Sequence, residues 1–281
     1  MILVADSGAT KTDWCLLDGT DGKSFFQTRG LNPSYASDSQ TFHHEFRELQ
    51  TWVENSGNVE EIFFYGAGCS TEEACRLIQM LGNKYFPNAA TLVFTDIFGA
   101  CRAVCGKKDG LVGILGTGSN SCIYKDGKIA ENIPSVGYML GDEGSGTYIG
   151  KMVLKKYLTG FLPDELAKDF AEKFPLSRAE FLNLLYHQPA PNRLFKSITP
   201  FAVENRNHPF MRDLVMECFC DFFENQIVKY ENYSNYNLYF AGSVAFLFAD
   251  TLSDTARKYG LKIDGIQRSP IEGLAEFHSK K

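Results

Sequence analysis

The chain has 281 residues, 44% of them hydrophobic, with a formal net charge of -6. That is enough apolar material for two domains of ordinary size, and the acidic balance, without any run of Lys or Arg, argues against a nucleic-acid or membrane partner, since either draws on a concentrated basic patch. Eight cysteines lack zinc-ribbon spacing and mostly lie in apolar runs, no apolar stretch reaches membrane-spanning length, and the apolar start is too short for a secretory leader, so a cytoplasmic protein with reduced thiols is expected.

Period-two hydrophobic patterns over 2–6, 12–18 and 23–27 predict three opening strands, the last two joined by the turn Asp18-Gly19-Thr20-Asp21-Gly22. Between the first two lies Asp6-Ser7-Gly8-Ala9-Thr10-Lys11-Thr12-Asp13. Gly8 and its short neighbours would let backbone N–H groups approach an oxyanion, while Ser7, Thr10, Thr12 and Lys11 add hydroxyl and ammonium donors. Asp6, where the strand ends, would repel a phosphate unless a divalent cation lay between them, which favours a Mg-nucleotide site over a bare anion site. An ordinary glycine-containing hairpin is the other reading of the same residues.

Phe42, Phe46, Leu49 and Val53 recur at helical steps and predict a helix from Asp38 to Asn55, stopped by Gly57. A strand at 61–65 runs into Gly66-Ala67-Gly68, and Ser70 with Glu73 forms a capping-box pattern for the next helix. A further strand at 91–94 ends at Thr95-Asp96, where Asp96 is placed either to cap a helix or to act in a site at a strand end. Strands alternating with helices predict a mixed sheet with covering helices.

Gly110 to Leu115 predicts a second buried strand, opening into Gly116-Thr117-Gly118-Ser119-Asn120 before apolar residues resume. A shift of 108 positions lays Ile2-Leu3-Val4 on Gly110-Leu111-Val112, Gly8 on Gly116, and Asp18-Gly19 on Asp126-Gly127. Such a repeat implies two related domains, 1–108 and 109–267, facing one another and each lending a loop to one nucleotide. Beyond it come Gly141-Asp142-Glu143-Gly144-Ser145-Gly146, a helix through Leu158, and a mostly helical stretch over 164–232 with Leu214, Phe219, Phe222, Ile227 and Val228 as core. A strand at 237–240 leads to Ala241-Gly242-Ser243-Val244-Ala245, a strand-turn-helix junction suited to a ligand. Leu261-Lys262-Ile263 and a helix from Pro270 finish the chain.

Several nucleotide and hydrolase signatures fail on spacing. Gly150-Lys151 is followed by Met152 and lacks the earlier glycine of a Walker loop, no dinucleotide fingerprint is completed, and neither Gly-x-Ser-x-Gly nor His-Glu-x-x-His occurs. Taken together, Asp6-Ser7-Gly8-Ala9-Thr10-Lys11-Thr12, Leu115-Gly116-Thr117-Gly118-Ser119-Asn120 and Ala241-Gly242-Ser243-Val244 resemble the two phosphate loops and the adenosine motif of the actin, Hsp70 and sugar-kinase superfamily. Within it the chain is similar, over nearly its whole length, to the BadF/BadG/BcrA/BcrD and N-acetylglucosamine kinase family.

That resemblance implies an α/β fold of two duplicated ribonuclease-H-like domains, ATP in the cleft between them, and a C-terminal helix, about 268–281, returning to the first domain. It also implies an ATP-dependent kinase for N-acetylglucosamine or a related amino sugar, acting at the 6-hydroxyl, with Asp96 as catalytic base and Asp6 holding Mg2+ through water. Phosphates would meet Ser7, Gly8, Thr10, Lys11, Thr12, Gly116, Thr117 and Gly118, and the adenosine Gly242 and Ser243. Asn32, Asn120 and Asp142 resemble the sugar contacts; by their own chemistry Asn32 before Pro33 also suits a turn, and Asp142-Glu143 a solvated pair. Relatives commonly carry Gly-Trp-Gly-His where this chain has Ser135-Val136-Gly137-Tyr138, which alters the expected sugar pocket. A homodimer is compatible with the family, as are two other functions: an ATPase activating a partner reductase or dehydratase through an iron-sulfur cluster, for which Cys101 and Cys105 read better as core, and a nonenzymatic sugar or nucleotide sensor.

Overall fold

The computed structural model describes residues 1–8, 10–19, 22–33, 39–54, 57–187 and 191–279. Its first sheet is built from β1 (Ile2–Ser7), β2 (Lys11–Leu17), β3 (Lys23–Arg29), β4 (Glu61–Gly66) and β5 (Ala90–Thr95), in the order β3-β2-β1-β4-β5. The pairs β1–β2 and β2–β3 are antiparallel, whereas β1–β4 and β4–β5 are parallel. Helices α1 (Ser39–Val53), α2 (Glu72–Tyr85) and α3 (Asp96–Cys105) connect or follow these strands. The expected ends of α1, Asp38 and Asn55, lie outside the described residues, as do Ala9 of the first turn and Thr20 and Asp21 of the β2–β3 turn.

Alternation along the strands divides this core into two layers, because successive side chains leave a strand on opposite faces. Leu3, Ala5, Trp14, Leu16, Ile62 and Phe64 pack with Phe46, Leu49, Ile78 and Leu81 of α1 and α2. Val4, Cys15, Leu17, Phe63 and Tyr65 pack with Ala103 of α3 and with Ile271, Leu274 and Ala275 of the C-terminal helix. β1 and β4 are thus covered on both faces, which is why they read as continuous apolar runs. The cap of α2 differs from the expected Ser70: the helix starts at Glu72, so Thr71 stands at the capping position, and its Oγ1 accepts from the Ala74 N–H at 3.2 Å.

The second sheet contains β6 (Gly110–Leu115), β7 (Ser119–Lys125), β8 (Lys128–Ile133), β9 (Leu238–Ala241) and β10 (Ile263–Gln267), in the order β10-β9-β6-β7-β8. Counted within their own five, the strands of both sheets take the same order, so the second sheet repeats the topology of the first. Strands β1 and β6, and again β2 and β7, have bounds 108 positions apart at both ends. The remaining helices are α4 (Gly137–Leu140), α5 (Gly146–Leu158), α6 (Asp164–Lys173), α7 (Arg178–His187), α8 (Asn192–Glu204), α9 (Pro209–Asn225), α10 (Ser243–Leu247), α11 (Ala249–Lys258) and α12 (Pro270–Ser279). Contacts divide the chain into one unit of 1–112, 124–130 and 269–281 and another of 113–123 and 131–268.

Two sequence expectations shift here. The helix expected to continue through Ile227 and Val228 stops at Asn225, because buried Gln226 leaves the helical conformation and its Oε1 accepts from the Ser121 hydroxyl at 2.8 Å. The strand at 237–240, expected to be the last, is followed by β10 at Ile263–Gln267. α5 and α8 pack closely at Gly150, where a Cβ would lie 2.0 Å from the Phe195 carbonyl oxygen, so Gly150 serves a helix contact. No helix among the described residues is long and apolar enough to cross a membrane.

α12 is anchored by a polar knot inside the apolar layer. Arg102 Nη1 donates to Tyr65 Oη at 2.6 Å, and the same phenol meets His278 Nε2 at 2.9 Å, joining β4, α3 and α12. Burial pushes the Tyr65 phenol above its ordinary range, against the pull of the Arg102 cation. Tyr65→Phe, which keeps the ring and deletes both bonds, is expected to lower stability by about 1–3 kcal/mol in urea unfolding, since partners left unpaired in a core carry their full desolvation cost.

Candidate functional site

In the first unit the functional groups gather where β1, β4 and β5 end. Parallel pairing sets Ser7 opposite Gly66 and Gly66 opposite Thr95, so the three strand ends form one row. Carboxyl ends of parallel strands are where such sheets bind ligands. Asp6 stands one residue before that row and Asp96 one residue after it. Thr95, and not Asp96, caps α3: its Oγ1 accepts from the Phe98 N–H at 3.4 Å, while Asp96 is the first helical residue and its Oδ1 accepts from the Ile97 N–H at 2.8 Å.

Three carboxylates crowd this edge. Burial, then the like charges of Asp13 and Asp96, push the Asp6 carboxyl up from 3.8 to about 7, with Lys11 pulling the other way. Asp96 is raised as well, by burial, against the stabilising Ile97 N–H. Asp13 is paired across the hairpin with Asp6 and is better solvated electrostatically: Lys11 Nζ and Gln27 Nε2 each donate to it at 2.6 Å, and Ser269 Oγ at 3.2 Å. Lys11, assigned from sequence to phosphate, therefore rests on Asp13 with its side chain about half exposed.

The first turn is closed by the Gly8 N–H, which donates to the Lys11 carbonyl at 2.9 Å. Ser7 and Thr12, also assigned to phosphate, are fully buried, and their hydroxyls meet each other at 2.8 Å. Ser7 Oγ accepts from the Leu31 N–H at 3.1 Å, and Thr12 Oγ1 donates to the Arg29 carbonyl at 3.1 Å. Thr10 is exposed at the tip, and its carbonyl receives the Gly30 N–H at 3.0 Å. The segment leading to Asn32 is in this way fastened to the turn. Glu45, which no motif singled out, supports it from α1, its carboxylate accepting the Arg29 N–H at 3.0 Å.

In the second unit three stretches of backbone converge on the turn between β6 and β7. The Gly116 N–H donates to the Gly118 carbonyl at 3.0 Å, the Gly146 N–H to the Gly116 carbonyl at 2.8 Å, and Thr147 gives both its N–H and its hydroxyl to the Thr117 carbonyl, at 3.3 and 2.7 Å. Among the described residues the N–H groups of Thr117 and Gly118 donate to no backbone carbonyl, so the tip presents two adjacent donors. Gly242 abuts the same turn with φ +117°; a Cβ there would lie 2.3 Å from the Leu115 carbonyl oxygen. Ser243 follows it, exposed, as the first residue of α10.

Asp142 leans on this turn too, in a left-handed backbone conformation (φ +58°). Its Oδ1 accepts from the Ser119 N–H at 3.2 Å and from Ser135 Oγ at 3.1 Å, and burial raises its carboxyl despite those bonds and the Lys151 charge. Asn120 is held through Oδ1, which accepts from the Ser121 N–H at 2.9 Å and from Asn132 Nδ2 at 3.0 Å. Asn132, Ser135 and Thr147 escaped the sequence reading because the partner of each lies at least seven positions away in the chain. Only Ser135 had a signal, its place just before Val136. Val136, 59% exposed, stands with Met139 and Leu140 as an uncovered apolar group. Cys101 and Cys105 are both buried in α3.

Two measurements follow from this geometry. Gly242→Ala should cost about 2–4 kcal/mol in urea unfolding, combining backbone strain with the clash against Leu115. Folded Asp6 keeps its proton to about pH 7 while an unfolded Asp releases its proton near 3.8, so the folded state binds more protons in that window and stability falls as pH rises through it. The melting temperature of the ligand-free protein should decline between about pH 4 and pH 7, and Asp6→Asn should flatten that decline.

The chain matches no protein-family model and no curated protein sequence. Among solved structures it is similar to a Porphyromonas gingivalis protein provisionally named an N-acetylglucosamine kinase, with 35% identity over 100% of this chain and 99% of that one and a TM-score of 0.91. A Chromobacterium violaceum protein of the same provisional name shares 15% identity over 98% of each chain, with a TM-score of 0.71. A ROK family glucokinase from Streptomyces griseus, solved with glucose and AMPPNP, shares 13% identity over 98% of each chain, with a TM-score of 0.62. With the first the chain shares an α/β fold in the two-domain actin-like form of sugar kinases, and the last two likenesses are of fold alone.

Proposed function

Because the chain belongs to the N-acetylglucosamine kinase-like family of the Porphyromonas gingivalis protein, we propose that it is an ATP-dependent sugar kinase, acting on N-acetylglucosamine or a related amino sugar at the 6-hydroxyl. The observation that supports this reading is the pair Asp6 and Asp96 at one row of strand ends, both with raised carboxyls, beside a glycine-containing turn.

Phosphoryl transfer asks the protein to position two substrates, take a proton from the attacking hydroxyl and offset charge on the transferring group. Asp96 is the base: its carboxylate is fixed by the Ile97 N–H, and burial raises its proton affinity towards that needed to accept a hydroxyl proton at neutral pH. Asn32, Asn120 and Asp142 orient the sugar, amide and carboxylate groups being directional partners for hydroxyls. Gly8, Thr10 and Lys11 in the first turn, and Gly116, Thr117 and Gly118 in the second, receive the phosphates. For Lys11 this means exchanging an exposed ion pair with Asp13, a small loss. Gly242 and Ser243 lie on the adenosine side.

Asp6 fits a magnesium ion. Its carboxylate is crowded by two like charges, an arrangement that a divalent cation relieves, and among the described residues no group of three or more His, Cys, Asp or Glu side chains is arranged to hold a metal alone. Asp6 would hold the ion, through water, and the ion would supply positive charge to offset that on the transferring group.

ADP release measured across a panel of hexoses and amino sugars tests the proposal. The highest kcat/KM is expected with N-acetylglucosamine, and Asp96→Asn should lower kcat by about 10²–10⁴-fold, the usual share of a general base. If no sugar raises ADP production above the basal rate the kinase reading is lost; a fully active Asp96→Asn removes only the base role.

A further inference from the structure

The two hydroxyls that the first turn offers to a phosphate have no proton left to give. Thr12 Oγ1 lies 3.1 Å from the Arg29 carbonyl oxygen, which only accepts, so the Thr12 proton is directed there. The contact of 2.8 Å between the hydroxyls must then carry the Ser7 proton to Thr12 Oγ1. Ser7 Oγ completes the chain as acceptor of the Leu31 N–H at 3.1 Å. The order is Leu31 N–H to Ser7, Ser7 to Thr12, and Thr12 to the Arg29 carbonyl, and both hydroxyl side chains are fully excluded from solvent.

This chain joins two pieces of backbone. Ser7 and Thr12 flank the first turn, while Arg29 and Leu31 flank Gly30 in the segment that runs from β3 to Asn32. A parallel tie runs from the Gly30 N–H to the Thr10 carbonyl at 3.0 Å. Leu31 itself is fully buried in the layer containing Trp14 and Phe46, so the residue before Asn32 cannot shift without opening the core. Trp14 Nε1 on Thr28 Oγ1 at 2.9 Å and Glu45 on the Arg29 N–H at 3.0 Å hold the same stretch from two other sides.

We infer that Ser7 and Thr12 are positioning residues for the sugar acceptor: their hydroxyl chain sets the place of Asn32 relative to the nucleotide turn. This rests on the kinase reading for the role of Asn32, whereas the hydroxyl chain itself does not. The chemistry separates the two jobs. A phosphate donor would need a hydroxyl proton facing solvent, but here the protons are committed inside the core, and what they fix is the backbone that carries an amide side chain.

Thr12→Val keeps the shape and deletes the hydroxyl, and Thr12→Ser restores it. With Thr12→Val the KM for the sugar should rise about tenfold, the worth of one buried hydrogen-bonded position, while the KM for ATP stays within about twofold, and Thr12→Ser should recover most of the loss. A rise confined to the KM for ATP would overturn the inference and return Thr12 to the phosphates; unchanged values for both would overturn it as well. Ser7→Ala, which deletes the other hydroxyl without adding a methyl group, supplies the same comparison should the valine variant fold poorly. Amide hydrogen exchange at Leu31 provides a readout independent of turnover: faster exchange in Thr12→Val than in the unsubstituted protein is expected, and equal rates would contradict the hydroxyl chain. Inactivity of the unsubstituted protein on every sugar, with Leu31 exchange still accelerated in Thr12→Val, would defeat the kinase reading and leave the chain standing.

Discussion

The register of three parallel strands governs the first unit. Because β1, β4 and β5 run the same way and their last residues pair in a row, a carboxylate one position before the end of β1 and another one position after the end of β5 reach the same edge of the sheet. Burial first, and then the like charges of Asp13 and Asp96, hold the Asp6 carboxyl up at about 7 in the ligand-free protein. Such an unfavourable concentration of buried carboxyls at a sheet edge is what a cation would relieve, and structural packing alone gives no reason for it. The apolar layers on either face, and the Tyr65–Arg102–His278 knot that seats α12, keep that edge from relaxing.

Duplication explains the architecture, yet the two copies have been put to different uses. Both turns are closed by their leading glycine, but the first spans to Lys11 and the second only to Gly118. The first is then fastened by side-chain hydroxyls to the backbone of 29–31, while the second is fastened by backbone groups of Gly146 and Thr147 and by the close approach of Gly242. Backbone-to-backbone packing of that kind tolerates no Cβ at Gly242. The hydroxyl chain instead depends on two particular side chains. A repeat of strand bounds at a constant offset therefore preserved the scaffold and left the local chemistry of each turn to diverge.

The alternation of strands and helices, the repeat, and the glycine turns were legible because each is a local pattern whose period or composition reports the backbone directly. Asp96 at a strand end was legible for the same reason, though Thr95 takes the cap because the helix begins one residue earlier than capping by Asp96 would need. The cap of α2 was misread by one residue, Ser70 and Thr71 being neighbours of like capping chemistry, and the end of α9 at Asn225 by a few, since Ser121, distant in sequence, decides it. Asn132 and Glu45 could not be read at all, and Ser135 only by its place before Val136: each matters through hydrogen bonds to a residue between 7 and 16 positions away.

By itself the sequence determined the α/β class, the strand-turn-strand repeat and the places where glycine must stand, because hydrophobic period and turn chemistry act over a few residues. Only the tertiary structure decided what each polar group in those turns faces. Ser7, Thr10, Lys11 and Thr12 look alike as donors along the chain, but folding buries Ser7 and Thr12 against the 29–31 backbone, sets Lys11 on Asp13 and leaves Thr10 at the tip. A hydroxyl's single proton goes to whichever acceptor the fold brings within reach, and that acceptor lies 17 residues away for Thr12.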